Sequence, residues 1–484
     1  MGDLARLARP KIRAAVLTFA LIVLGVASAI ALKAWRQGLY AFVVMAFAQD
    51  PMRKLTDGQP PIYVLFAGVV FAAAAAGAWA SGARVALPSI PGWRRLSGPV
   101  ALFLMIAGLE ALNGFARIGL LIPCLLSFAS YTAPLVCLGV SSGFAAALGP
   151  QRLTRFLAVY VMLGALGAST IALQAVGVDW AVLGEVGPGI QLYDASGKVA
   201  SNSGLFRAAE IAGWHAATVA ALGVVLLTRR GFEPSRVAAA LVFAAALSGL
   251  AILTGRRKSL LMILMFGVLY FALVTIVVRR ALRFGLVLGA AVAAAVLASA
   301  ALMQPGDTAG GDYRPYFDRA GTVFTDVSDR FFNAGWAPLE TVYDVYGPLG
   351  GGLGLATQGA QYAGLAEDAD LTAGAGEGGL GKIAIELGFP GLAAAFVLFV
   401  ALARHIMTIL ADVGARRPCA GRLLCGLTAL LAANVANFSV AAQTYGDVFV
   451  VTFLGLILGA ILAAPRYGLA APRRASRTRA NSCS

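Results

Sequence analysis

This 484-residue chain is poor in charge, histidine and cysteine, and each shortage closes off a class of function. Charged residues make up 13% of the chain, against roughly 25% in soluble domains, which excludes an ordinary soluble protein. There are 2 histidines, His215 and His405, too few for a histidine-rich metal site, and the cysteines show no metal-ligand spacing, so no metal is expected. Cys124, Cys137, Cys419, Cys425 and Cys483 show no disulfide framework and read as small core fillers. The glycine tract 347–354 lacks the strand, lysine and helix of a phosphate-binding loop, so no nucleotide and no cofactor are expected. No internal repeat and no second soluble domain are visible, and the chain reads as one membrane unit.

What is abundant is apolar sequence, 59% of residues, with a mean hydropathy of +0.81. Stretches long enough to cross a hydrocarbon layer of about 30 Å fall near 13–31, 61–80, 98–113, 120–140, 153–173, 209–227, 237–253, 259–278, 284–303, 378–401, 423–440 and 449–464. The segment 40–48 is apolar but too short to span alone. These predict an all-α, polytopic transmembrane helix bundle of about 12 helices. Val26-Ala27-Ser28-Ala29 resembles a cleavage site, but another apolar segment follows almost at once, so the first stretch reads as a retained helix.

The net charge of +15 does not point to nucleic acid, because the arginines lie in short loops without interleaved aromatics. Positive-inside bias accounts for them better. Arg6, Arg9, Lys11 and Arg13 place the N-terminus in the cytoplasm, and Arg473, Arg474, Arg477 and Arg479 place the 465–484 tail there too. Clusters at Arg229, Arg230 and Arg236, at Arg279, Arg280 and Arg283, and at Arg404, Arg416, Arg417 and Arg422 mark further cytoplasmic turns. Arg84, Arg94 and Arg95 fit this alternation poorly. The expected order is transmembrane helices over 1–305 with a small periplasmic loop near 177–207, a large periplasmic loop over 306–377 between late helices, then helices over 378–464. The large loop carries 11 of the 23 acidic residues, which cannot sit in hydrocarbon.

Three polar clusters fall on the outer side of this arrangement. In the first, Arg207, Glu210 and Trp214 share one helix face, and the plain alternative is that Glu210 merely pairs with an Arg207 reaching to headgroups. His215, one turn further in, is either an acid or base or a buried histidine satisfied by a neighbouring helix. The second is Arg256-Arg257-Lys258, a basic triplet on the side that positive-inside bias disfavours. An anion such as a diphosphate rewards that placement, and a cytoplasmic turn is the alternative. The third is the outer loop, rich in aromatics from Tyr313 to Tyr362 and ending at Glu377. Aromatic faces with nearby carboxylates suit a glycan and equally suit the core of an ordinary loop domain. Glu377, at the mouth of the next helix, is either a general base or a carboxylate favoured by the helix dipole.

Thr254-Gly255-Arg256-Arg257-Lys258-Ser259-Leu260-Leu261, Gly204-Leu205-Phe206-Arg207 and the run from Glu377 through Glu386-Leu387-Gly388 together resemble the bacterial O-antigen ligase and polymerase superfamily. The resemblance spans most of the chain in architecture but rests on short motifs. Ligases of that family carry histidine and asparagine where this chain has Glu377 and Gly378, so the departure favours the polymerase branch, which includes capsule and exopolysaccharide polymerases. The resemblance implies transfer of a glycan from undecaprenyl diphosphate onto a lipid-linked repeat unit at the periplasmic face of the bacterial inner membrane. It implies Arg207 and Arg257 as diphosphate ligands, Arg256 as helper, and Glu377 as acceptor-activating base. Lys258, Glu210, Arg314, Arg319, Arg330 and Trp336 are further substrate contacts, the loop residues holding glycan. The bilayer, the lipid-linked glycan and a chain-length regulator are the partners expected. The competing readings are a ligase to another acceptor and a polysaccharide transporter or flippase, the latter disfavoured because mid-membrane charge is scarce, Glu110 being the clearest case.

Overall fold

A computed structural model of the chain describes residues 2–83, 85–186, 192–194, 197–199, 201–278, 316, 320, 332, 336–356 and 378–468, with side chains from residue 16 onward except in the 192–199 hairpin and at 467–468. Among these residues, ten helices are long and apolar enough to cross a membrane, and the protein is a multi-pass helical membrane protein. The helices are α1 (Gly2–Lys33), α2 (Trp35–Leu55), α3 (Phe66–Ala80), α4 (Trp93–Ile118), α5 (Leu121–Ala175), α6 (Ala209–Thr228), α7 (Pro234–Leu253), α8 (Arg257–Val278), α9 (Ala337–Tyr346), α10 (Gly379–Arg416), α11 (Pro418–Val440) and α12 (Val448–Ala463). A two-stranded antiparallel hairpin, Leu192–Asp194 with Gly197–Val199, precedes α6. Residues 284–303, expected to span, lie outside the described residues, as does most of the expected outer loop.

Two long apolar runs are broken rather than continuous. Gly149 (φ 68) divides α5 where two separate spans, 120–140 and 153–173, are expected. Gly388 (φ 65) divides α10 just before Pro390, which has no N–H to continue the ladder. Cys124, Cys137 and Cys425 are free and buried, as filler cysteines should be, whereas Cys419, expected as filler too, is disulfide-bonded.

The chain forms two compact units. The first holds α1 to α3, the second half of α5, α6, α7 and α8 as far as Thr275. Its centre is α6, which is apolar on every side and buried along almost its whole length. Small residues let neighbours approach closely: a Cβ on Gly223 would strike the Phe243 ring, and one on Gly164 would strike Val219. The outer helix α1 shows the opposite pattern, with Phe19, Ile22 and Val26 exposed as lipid-facing side chains would be.

The segment 40–48 is part of α2, a 21-residue helix of roughly 30 Å at 1.5 Å per residue, which is not among the ten helices long and apolar enough to cross. The hydrophobic run looks short because Gln49, Asp50 and Lys54 interrupt it, yet all three are buried. α2 folds back on α1 through Ala34, with Gly38 against Ala31, and α3 runs back along both, with Gly77 against Leu32. The N-terminal side of α1 therefore lies at the same end of this unit as Asp50 and Lys54.

The second unit holds α4, the first half of α5 and α9 to α12. Phe103, Ala107, Leu353, Ile383, Leu387 and Ala394 form one of its cores. The 347–354 tract is a tight turn docked into the break in α10: Gly351 N–H donates to Ile385 O (2.6 Å) and Phe389 N–H to Pro348 O (3.0 Å). Backbone groups freed by the break are thus satisfied inside the protein, as a hydrocarbon setting demands. Glycine is required at 350 because a Cβ there would sit 2.7 Å from Gly388 N and 2.8 Å from Ala384 O.

Candidate functional site

The polar centre of the first unit is built around residues 201–209, an irregular stretch leading into α6. A stretch without helix or sheet partners must satisfy its backbone elsewhere, and here side chains from other elements do it. Gln174 Oε1 at the end of α5 accepts from Ser203 N–H (2.9 Å) and Gly204 N–H (2.8 Å). Thr170 Oγ1 accepts from Leu205 N–H (2.9 Å), and Glu185 Oε1 accepts from Ser201 Oγ (2.6 Å) and Ala209 N–H (3.1 Å). Asn202 Nδ2 donates to Leu253 O (2.8 Å), tying the stretch to the end of α7. Lys54 Nζ donates to the carbonyls of Val182 (3.2 Å), Gly204 (2.7 Å) and Phe206 (2.6 Å).

Two arginines meet two buried carboxylates on this frame. Arg207 donates its backbone N–H to Asp50 Oδ2 (3.0 Å) and brings Nη1 to 3.7 Å from Asp50 Oδ1. Arg256 Nη1 lies 2.7 Å from Glu210 Oε1, with the side chains 11% and 6% exposed. Arg256 is aimed by the α7–α8 turn: Gly255 takes φ 71, and Thr254 Oγ1 accepts from Arg256 N–H (3.2 Å) while donating to Ala251 O (2.6 Å). Its Nε and Nη2 are buried without a hydrogen-bond partner among the described residues. Buried guanidinium donors left in that state cost free energy unless something fills them, and an anion with several oxygens would.

The expected site residues therefore divide. Arg207, Glu210, Arg256, Arg257 and Lys258 gather at one end of the first unit, the last two half-buried in the first turn of α8. Trp336 is exposed at the start of α9 in the second unit. Glu377, Arg314, Arg319 and Arg330 lie outside the described residues. The Arg207–Glu210 pairing that stood as the plain alternative gives way to a crossed arrangement, Arg207 with Asp50 and Glu210 with Arg256. Asp50, Lys54, Gln174 and Glu185 were not expected at this site. Their one signal is an acid and a base spaced i,i+4 inside an apolar helix, where ionisable side chains are rare and functional by default.

His215 is a satisfied core histidine. Its Nδ1 lies 3.0 Å from Tyr160 Oη, and its ring stacks on Phe206 at 4.6 Å and 18°. His215→Phe strands the buried Tyr160 hydroxyl and is expected to cost about 1–3 kcal/mol, whereas the His215→Phe/Tyr160→Phe double variant recovers most of it. Thermal unfolding of the parent and the two purified variants checks this; a double variant no better than the single would mean that the pairing is not what holds the ring.

The second unit has its own buried carboxylate. Glu386, 0% exposed, accepts from Tyr131 Oη (2.8 Å) and Gly354 N–H (3.2 Å), and Lys382 Nζ stands over the Tyr131 ring at 5.8 Å. Glu110 accepts from Asn113 Nδ2 (2.8 Å) in the same unit, and its backbone carbonyl holds Leu353 N–H (2.9 Å). These contacts pin the glycine tract. Among the described residues no group of acidic, histidine or cysteine side chains could hold a metal ion. No protein-family model matches the chain, and no curated protein matches it.

Proposed function

We propose that the chain is a polysaccharide polymerase that joins undecaprenyl-diphosphate-linked repeat units into O-antigen, capsule or exopolysaccharide at the outer face of the bacterial inner membrane. The observation that carries the reading is the Arg256 guanidinium, buried beside Glu210 with two nitrogens that have no hydrogen-bond partner among the described residues, at the end of the unit that also holds Arg207, Arg257 and Lys258. Five cations, Lys54 included, against the carboxylates of Asp50, Glu185 and Glu210 suit a diphosphate, whose charge grows as it leaves.

The charge distribution supports an outward-facing site. The far end of the first unit carries Lys33, Arg36, Arg152, Arg155, Arg229, Arg230 and Arg236 against Glu233, among the described residues. Positive-inside bias assigns that basic end to the cytoplasm. Against this, the N-terminal side of α1 lies at the site's end of the unit, and Arg6, Arg9, Lys11 and Arg13 alone favour the reverse orientation.

In the reaction, a hydroxyl oxygen of the acceptor sugar bonds to the anomeric carbon of the donor and the bond from that carbon to the diphosphate oxygen breaks. The hydroxyl proton passes to a carboxylate, for which Glu377 is the candidate, and the diphosphate leaves on the lipid. The arginines stabilise the departing charge and the protein supplies orientation. In a deletion strain complemented with Arg207→Ala or Arg257→Ala, polymer should fall more than about tenfold, as loss of a charge-assisted contact implies, with single repeat units accumulating on the lipid. Polymer of normal length and amount would refute the assignment. Long polymer accumulating on the lipid would identify a ligase, and loss of repeat-unit exposure at the outer face a flippase.

A further inference from the structure

The end of α2 contributes two buried ions that the reaction itself does not require. Asp50 and Lys54 are one helical turn apart, so they share a face, and both reach the 201–207 stretch. Lys54 gathers the Gly204 and Phe206 carbonyls with that of Val182, and Asp50 holds the Arg207 backbone N–H as well as facing its guanidinium. An ammonium offers three donors, and here three carbonyls from two separate segments take them. Burying two ions is costly in a helix that could have been wholly apolar, and four of the five contacts described fall on Arg207 or the residues flanking it.

We infer that Asp50 and Lys54 are positioning residues: they form a strut that fixes the approach of Arg207 to an anion before that anion arrives. This rests on the reading of Arg207 as a diphosphate ligand. The physical advantage is preorganisation, because an arginine already restrained loses less side-chain entropy on binding.

The test uses the full chain in phosphatidylcholine nanodiscs, with undecaprenyl diphosphate as the probe. Asp50→Asn should weaken probe binding about tenfold, the scale of one charge-assisted contact. The same substitution on an Arg207→Ala background should produce no further loss, since the strut acts through Arg207. Amide hydrogen exchange of residues 203–207 should accelerate in Asp50→Asn and in Lys54→Met while the rest of α6 stays protected. An equal loss of binding on both backgrounds would overturn the inference, because Asp50 would then act on the fold at large. Unchanged exchange in both variants would overturn it too. If Arg207→Ala binds the probe like the parent, the anion-site reading fails, and the exchange data still decide whether the strut exists.

Discussion

Arg256→Ala is expected to lower polymer formation about a hundredfold or more and to destabilise the protein by about 3–5 kcal/mol, the usual result of stripping one partner from a buried ion pair. The two effects have different origins and can be separated. The stability loss comes from Glu210, 6% exposed and left as an uncompensated charge. The functional loss comes from the guanidinium donors Nε and Nη2, which serve no hydrogen-bond partner among the described residues. Arg256→Ala combined with Glu210→Gln should therefore unfold at close to the parental temperature and still make little polymer. Recovery of both properties in the double variant would reduce Arg256 to a structural counter-ion and remove the strongest support for an anion site.

Gly204→Ala should be nearly as damaging, although it adds a single methyl group. The residue has φ 55, where a side chain costs roughly 1–2 kcal/mol. Its Cβ would also strike Thr170 Oγ1 and lie 2.8 Å from Ile171 N, a helix backbone atom with no room to retreat. Overpacking of that kind adds about 1–3 kcal/mol. The relevant control is Gly177→Ala, where φ is 86 and nothing lies within 4 Å of the added Cβ. Thermal unfolding should show Gly177→Ala losing only the backbone term and Gly204→Ala losing both, with polymer formation failing in the second alone. Equal losses would mean that the 201–209 stretch moves freely enough to accept a side chain, and the pinned geometry would be wrong.

The spans were legible because crossing a bilayer demands a long apolar run, and that demand is written residue by residue. α6, α7 and α8 fall where their hydropathy puts them, and the arginines at their ends follow. α2 was not legible as a helix of full length because Gln49, Asp50 and Lys54 break its apolar run, and only tertiary contacts show that their burial is satisfied. The crossed pairing was hidden for a related reason. Spacing on one helix brings Glu210 near Arg207, but Asp50 lies 157 residues from Arg207 in sequence, and no local pattern announces such a partner. Gln174, Thr170 and Glu185 are ordinary polar residues until a loop folds across them. The glycine tract was half legible: its composition predicts a turn or a flexible linker, and the broken helix at Gly388 decides for the turn.

That docked turn bears on how the protein can vary. Gly354 is held by Glu386 at one end, and Gly379 packs against Phe438 at the other, so both attachment points of segment 357–377 are anchored in the second unit. Insertions and exchanges between residues 357 and 376 then start and end on fixed moorings, and loop closure contributes about 0.6 kcal/mol for each doubling of length. On the proposed function, such grafts that keep Glu377 are the route by which the polymer would be altered with the helices left in register.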